Sequence, residues 1–147
     1  GRPSRSPAVS ILATLALFAT ALLFGGMAFF AALIAPMIFR TLPADMASRF
    51  IRGVFPPYYL WVLATSAAAC VALFPLSKPD AGMMAAIAGL AFWLRQVLMP
   101  RINLLSDAAK AGDADAGRAF DRAHKLSVAA NLLQMIVAGV VLAGFVL

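Results

Sequence analysis

The sequence predicts an all-α integral membrane protein, a four-helix bundle with a short interfacial amphipathic helix between its first and second spans. Three observations predict it. Of 147 residues, 63% are hydrophobic and only 12% are charged, against roughly one-half and one-quarter in an ordinary soluble domain. Four apolar runs are each long enough to cross a hydrocarbon layer of roughly 30 Å. The charged residues gather between those runs. A chain this short has too little interior to hide so many apolar side chains from water, so lipid takes the excess. The length suits a single domain, residues 1–147.

The elements follow in order. Residues 1–7 form a polar arm carrying Arg2 and Arg5, and no charge interrupts Ala8 to Phe39. A secretory signal has an apolar core of roughly 7–15 residues. This run is too long for that and reads as a first transmembrane helix, about 8–39. Pro43, Asp45 and Ser48 mark a turn, after which Met46, Phe50 and Phe55 alternate with Arg49 and Arg52. That pattern predicts a short amphipathic helix at the membrane surface, with Arg40, Arg49 and Arg52 toward headgroups. Tyr58, Tyr59 and Trp61 suit the aromatic belt at the interface. Pro56 and Pro57 suit a helix start, where a missing N–H costs little. The second span is expected at about 58–76.

Ser77 to Asp80 is a tight polar turn containing Pro79, which makes the second and third spans antiparallel neighbours. The third span is expected at about 81–99, closed by Pro100. Residues 101–125 hold five basic and four acidic side chains in an Ala-rich pattern. That pattern predicts helices continuing beyond the bilayer surface, with a break at Gly112-Asp113. The fourth span is expected at about 126–147. No internal repeat is evident.

The formal charge is +6, with no Glu at all. There is no basic stripe interleaved with aromatics in a polar segment, as a single-strand nucleic-acid binder needs, so no nucleic-acid partner is expected. The charge is topogenic instead. Four antiparallel spans put Arg2, Arg5 and Lys78 on one side. The other side holds Arg40, Arg49, Arg52, Arg95, Arg101, Lys110, Arg118, Arg122 and Lys125. Under the positive-inside rule this makes the loops at about 40–57 and 100–125 cytoplasmic and puts both termini outside. Cys70, the one cysteine, reads as a small buried hydrophobe.

Polar residues within the apolar runs are few. His124, Ser127, Asn131 and Gln134 recur at spacings of three and four, within an arc of roughly 80° on one helix face. A polar stripe facing lipid is costly, so it points into the bundle. It serves either as interhelical hydrogen bonding or as a ligand site. Arg95, about one turn inside the third span, either snorkels to the surface or turns inward to meet Asn103, His124 or Asn131. Gly25, Gly26 and Gly139 supply flat surfaces for close helix approach. One histidine excludes a bis-histidine haem and any multi-histidine metal site. No metal and no cofactor is expected, and a single axial ligand to a pigment or haem through His124 is the remaining route. There is no nucleophile elbow, phosphate loop or CxxC, and no Glu or Asp within a span. No enzymatic activity is expected.

Several blocks together resemble a known family. They are Gly25-Gly26 with Phe29-Phe30, Pro36 with Phe39-Arg40, Gly53-Val54-Phe55-Pro56-Pro57-Tyr58-Tyr59, Pro100-Arg101-Ile102-Asn103, and Phe120-Asp121-Arg122-Ala123-His124-Lys125-Leu126-Ser127 with Asn131. In that order they are similar to the bacterial relatives of transmembrane protein 205, a four-span family with a domain of unknown function. The resemblance covers nearly the whole chain. It implies a four-helix fold in a bacterial cytoplasmic (inner) membrane and carries over no catalytic residue. The doubled proline departs from relatives that often have one. The haem-dependent protoporphyrinogen oxidases, also four-span, need more than one histidine and do not fit. The expected function is association: an accessory or stabilising subunit of a larger membrane complex, or a homo-oligomer, with lipid and other membrane subunits as partners. The alternative is a carrier or binding protein for a small molecule or anion, using Arg95 and the polar stripe.

Overall fold

The structure, a computed structural model, describes residues 4–147. Four long helices, Pro7–Thr41, Ala44–Leu73, Lys78–Lys110 and Ala114–Gly144, are each long and apolar enough to cross a membrane. Only 17% to 33% of each apolar window is buried inside the bundle. Side chains such as Phe18, Leu22, Val71, Phe92, Leu132 and Val140 stand outward on all four helices. That outer surface needs an apolar solvent, and the chain is a multi-pass membrane protein. There is no strand among the described residues.

Local chemistry starts and stops each helix. The Ser6 hydroxyl accepts from Val9 N–H at 3.3 Å, with Pro7 at the first helical position. Ser77 caps the third helix by accepting from Asp80 N–H, and the Asp113 carboxylate caps the fourth by accepting from Ala116 N–H at 3.1 Å. These side chains satisfy amide donors that a helix start leaves without partners. The turn before the fourth helix needs Gly112, whose φ of 104° is open only to glycine at little cost.

Each helix packs on its neighbours in chain order, and the first closes the ring against the fourth. One core joins Leu23 and Met27, Val62 and Ala69, Met84 and Ile87, and Ala138 and Val141. A second lies toward the basic end, where Tyr59, Leu94, Leu98, Ile102 and Ala130 meet.

The structure departs from the expected element boundaries in two ways. The amphipathic segment after Pro43 is helical but is not a separate interfacial helix. It runs unbroken through Pro56 and Pro57 into the second span as one helix of 30 residues. The prolines remove only two backward hydrogen bonds, and tertiary contacts on the upstream turns hold the helix together: Ala47 is buried and Arg52 is ion-paired. The connection at 100–125 is helical with a break at residues 111–113, as its Ala-rich pattern predicts, and the connection at 40–57 is helical from Ala44 onward. The actual turns are Leu42-Pro43 and residues 111–113.

The second difference is a shared register. In the first span a single wide π turn occupies Phe30–Ile34, two residues before Pro36. In the third it occupies Leu94–Leu98, two residues before Pro100. A proline ring presses on the carbonyl four residues back, and a wide turn relieves the clash. The two devices lie 64 residues apart, and so do the buried pairs Thr20 and Met84, Leu23 and Ile87, Met27 and Ala91, and Ile38 and Ile102. The first and third spans thus present the same pattern from opposite corners of the ring. Sequence identity at these pairs is low, so the repeat is hidden until burial is known.

Candidate functional site

The polar residues of the fourth span are held by side chains of the second. Tyr58 and Tyr59 are adjacent, so their rings leave the helix about 100° apart and can straddle one amide. Asn131 is that amide. Its Nδ2 donates to the Tyr59 hydroxyl at 2.8 Å, and its Oδ1 accepts from the Tyr58 hydroxyl at 3.4 Å. Tyr59 is fully buried. Phe30 lies 4.6 Å from Tyr58 between ring centroids, and Phe55 stacks on Tyr59 at 5.6 Å. Leu94 of the third span packs against the same cluster. One residue or more from every span therefore converges at this level.

Along the fourth span the stripe is divided. Ser127 Oγ donates to the His124 carbonyl at 2.7 Å, and Asn131 also donates to the Ser127 carbonyl at 2.9 Å. Gln134 is buried, and its Nε2 reaches the Ile87 carbonyl of the third span at 3.0 Å. Its Oε1 has no partner, and neither does the buried hydroxyl of Thr20. His124 does not join the group. It is exposed, and its ring stacks on Phe120 at 5.9 Å.

Arg95 is half-buried and lies across the second span, and its side chain meets none of Asn103, His124 and Asn131. Its Nε donates to the Pro56 carbonyl at 3.1 Å, and its Nη1 donates to Gln96 Oε1 at 2.8 Å. Asn103 contributes its backbone carbonyl, which accepts from Arg52 at 3.3 Å.

Of the arginines assigned to headgroups, Arg40 and Arg49 are exposed at the basic end. Arg52 forks onto Asp107, with Nη2 to Oδ1 at 2.6 Å and Nη1 to Oδ2 at 3.3 Å. This hydrogen-bonded arginine holds the Asp107 carboxyl below the usual carboxylate range, with nearby Lys110 helping. Lys110 also donates to Ser48 Oγ at 3.3 Å. Both contacts join the second span to the polar end of the third.

Trp61 is a helix–helix contact as well as a belt residue. Its Nε1 donates to the Leu22 carbonyl at 3.3 Å, and the indole lies on Gly26. Gly139 faces the ring of Phe24, while Gly25 faces open space. Two of the three packing glycines thus meet a neighbour within the chain. Sequence reasoning missed Phe30, Asp107 and Thr20. For Asp107 a signal existed: an acid spaced one turn from Asn103 on a helix facing a run of arginines.

Among the described residues no three His, Cys, Asp or Glu side chains come together to hold a metal. A shallow recess of about 240 Å³, lined by Ser10, Ile11, Thr14 and Leu15, opens at the far end of the first span from the tyrosine cluster.

Residues 18–111 match the family described as a domain of unknown function, DUF4149. The chain belongs to that family. The matched region spans the helices that carry Phe30, Arg52, Tyr58, Tyr59, Arg95 and Asp107, and the family's description assigns them no activity. The fourth span, with Asn131 and Gln134, lies beyond it. No curated protein and no solved structure matches the chain.

Proposed function

We propose that this chain is a non-enzymatic membrane protein that acts by association, as an accessory or stabilising subunit of a larger membrane complex or as a homo-oligomer. One observation carries the reading. The polar side chains that could have formed a reaction centre are tied to one another and to backbone carbonyls, as in Tyr58–Asn131–Tyr59 and Gln134–Ile87. Their geometry is that of struts between helices, which leaves the outer faces of the bundle to do the work. Interhelical hydrogen bonds of this kind contribute about 1 kcal/mol or less each, which suits positioning.

We further place the chain among the bacterial relatives of transmembrane protein 205, in the cytoplasmic membrane, with the basic turns inside and both termini outside. The sequence blocks from Gly25 to Asn131 support the relationship, and the nine basic residues at one end support the orientation. No cofactor is proposed.

The test is native mass spectrometry of the protein extracted from its own membranes in mild detergent, with an absorption spectrum of the same sample. Co-purifying subunits or a homo-oligomer are expected, and no visible absorbance. A lone monomer in both detergent and native membranes ends the reading.

A second reading, a carrier for a small molecule or anion, draws support from the unpartnered Gln134 Oε1 and Thr20 Oγ1 inside the bundle. Asn131→Ala discriminates the two. Loss of a bound or transported molecule with assembly intact favours the carrier, whereas loss of assembly alone favours association.

A further inference from the structure

The regular backbone ladder is interrupted in three of the four spans at one level of the bundle. In the first span the π turn at Phe30–Ile34 replaces one helical repeat, and Ala35 N–H reaches back five residues to the Phe30 carbonyl. In the second, Pro56 and Pro57 lie inside the helix. They have no N–H to give the carbonyls of Arg52 and Gly53. In the third, Met99 N–H reaches back to the Leu94 carbonyl across the second π turn. The fourth span is an unbroken α-helix at this level, where Asn131 sits between the two tyrosines.

Side-chain contacts show that these sites share one level. Phe30 touches Tyr58, Arg95 reaches Pro56, and Asn131 lies between Tyr58 and Tyr59. The first and third spans carry the same device in the same register at opposite corners of the ring. Sharp helix bends occur at prolines, at π turns and where side chains enter the ladder. Prolines and π turns are stacked here. Aromatic packing of Phe30, Phe55, Tyr58 and Tyr59 and the hydrogen bonds of Asn131 and Arg95 join the spans at this level. Beyond it, toward the basic turns, the second, third and fourth helices become polar. There the polar contacts between the second and third spans are few: the Arg52–Asp107 ion pair, the Arg52 bond to the Asn103 carbonyl, and the Lys110–Ser48 bond.

We propose that the level through Phe30, Pro56-Pro57, Leu94 and Asn131 is a hinge plane, about which the basic end of the bundle opens with Arg52–Asp107 as its latch. Opening separates the polar ends of the second and third spans and uncovers the inner side of the Tyr58–Tyr59–Asn131 group from the basic side. The other half, from Pro7 to Phe29 and its neighbours, stays packed around Leu23, Val62, Ile87 and Ala138. This goes beyond the association reading, since it assigns a moving part whether the chain works alone or in a complex.

The experiment is spin-label distance measurement on the full chain in nanodiscs of phosphatidylethanolamine and phosphatidylglycerol, with Cys70→Ala as background. One label pair, Asp45→Cys with Ala114→Cys, reports the basic end. A second, Ser10→Cys with Gly82→Cys, reports the other half. The basic-end pair is expected to give two distances, and Asp107→Asn is expected to raise the longer population about twofold, the change an exposed ion pair carries. The joint variant Pro36→Ala, Pro100→Ala is expected to narrow that distribution, and the control pair is expected to stay narrow throughout. A single basic-end distance that Asp107→Asn leaves unchanged overturns the proposal. Equal broadening of both pairs also overturns it, because the whole bundle is then loosening.

Discussion

Gly25 and Gly26 are neighbours in sequence, yet alanine substitutions at them should act with opposite sign. A methyl group added at residue 26 would lie 2.6 Å from Trp61 Nε1 and 3.2 Å from its Cδ1. Carbon and nitrogen attract best at about 3.5–4.0 Å, so the indole must retreat by roughly 1 Å. The indole is a rigid plate, and its Nε1 is tied to the Leu22 carbonyl at 3.3 Å, so retreat also breaks that bond. Overpacking costs about 1–3 kcal/mol, and the lost interhelical bond costs about 0.6 kcal/mol more. Removing a glycine from a helix interior returns about 1 kcal/mol. Gly26→Ala is therefore expected to destabilise by about 1–2 kcal/mol. Gly25 has no atom within 4 Å of a built Cβ, so Gly25→Ala keeps only the gain, up to about 1 kcal/mol. The assay is unfolding in mixed micelles of rising sodium dodecyl sulfate, followed by tryptophan fluorescence. Trp61→Phe removes the clashing edge of the indole and should restore most of the Gly26→Ala loss. Equal midpoints for the two alanine variants would refute the placement of Trp61 on the first span.

Three further outcomes are expected from the same assay. Tyr59→Phe and Asn131→Ala should each destabilise by about 1–2 kcal/mol, with a coupling energy in the double variant of about 0.6–1.7 kcal/mol; a coupling near zero means the two groups do not meet. Gln134→Leu removes a buried carbonyl that has no partner, so it should be neutral or slightly stabilising despite losing the bond to Ile87, and a loss above about 2 kcal/mol would show that the amide has a partner within the folded bundle. Asp107 is held below its ordinary value of 3.8 by Arg52, so the latch contribution is fully present above pH 3.8 and fades as pH falls through the lowered value. The midpoints of the wild type and Asp107→Asn should therefore differ at pH 7 and draw together as pH falls below 3.8, and a gap that does not shrink with falling pH would sink the assignment.

The membrane class and the count of spans were legible because they depend on composition and run length alone. Runs of about 20 mostly apolar residues with at most one charge have few alternatives to lipid. The break at residues 111–113 was legible too, because Gly112 and Asp113 are a left-handed turn residue and a helix cap side by side. The interfacial helix was misread for a physical reason. Two prolines signal the end of a local ladder, but whether a helix resumes depends on contacts made elsewhere, here by Arg52 with Asp107 and by Arg95 with Pro56. The stripe on the fourth span was found from periodicity, yet periodicity gives only a face. It could not say that Asn131 meets two tyrosines, that Gln134 meets a carbonyl, or that His124 falls at the outer edge.

What the sequence by itself determined is the solvent of this protein: four apolar runs, one-sided positive charge and polar turns select a bilayer and a number of crossings. Only the tertiary structure decided how the sparse polar groups are used. In a low-dielectric interior each such group needs a partner, and partners on other helices are set by rotation and depth, which a linear pattern does not carry. That is why Gly26 and Gly25, alike on paper, part company over one indole ring, and why two prolines expected to start a helix lie in the middle of one.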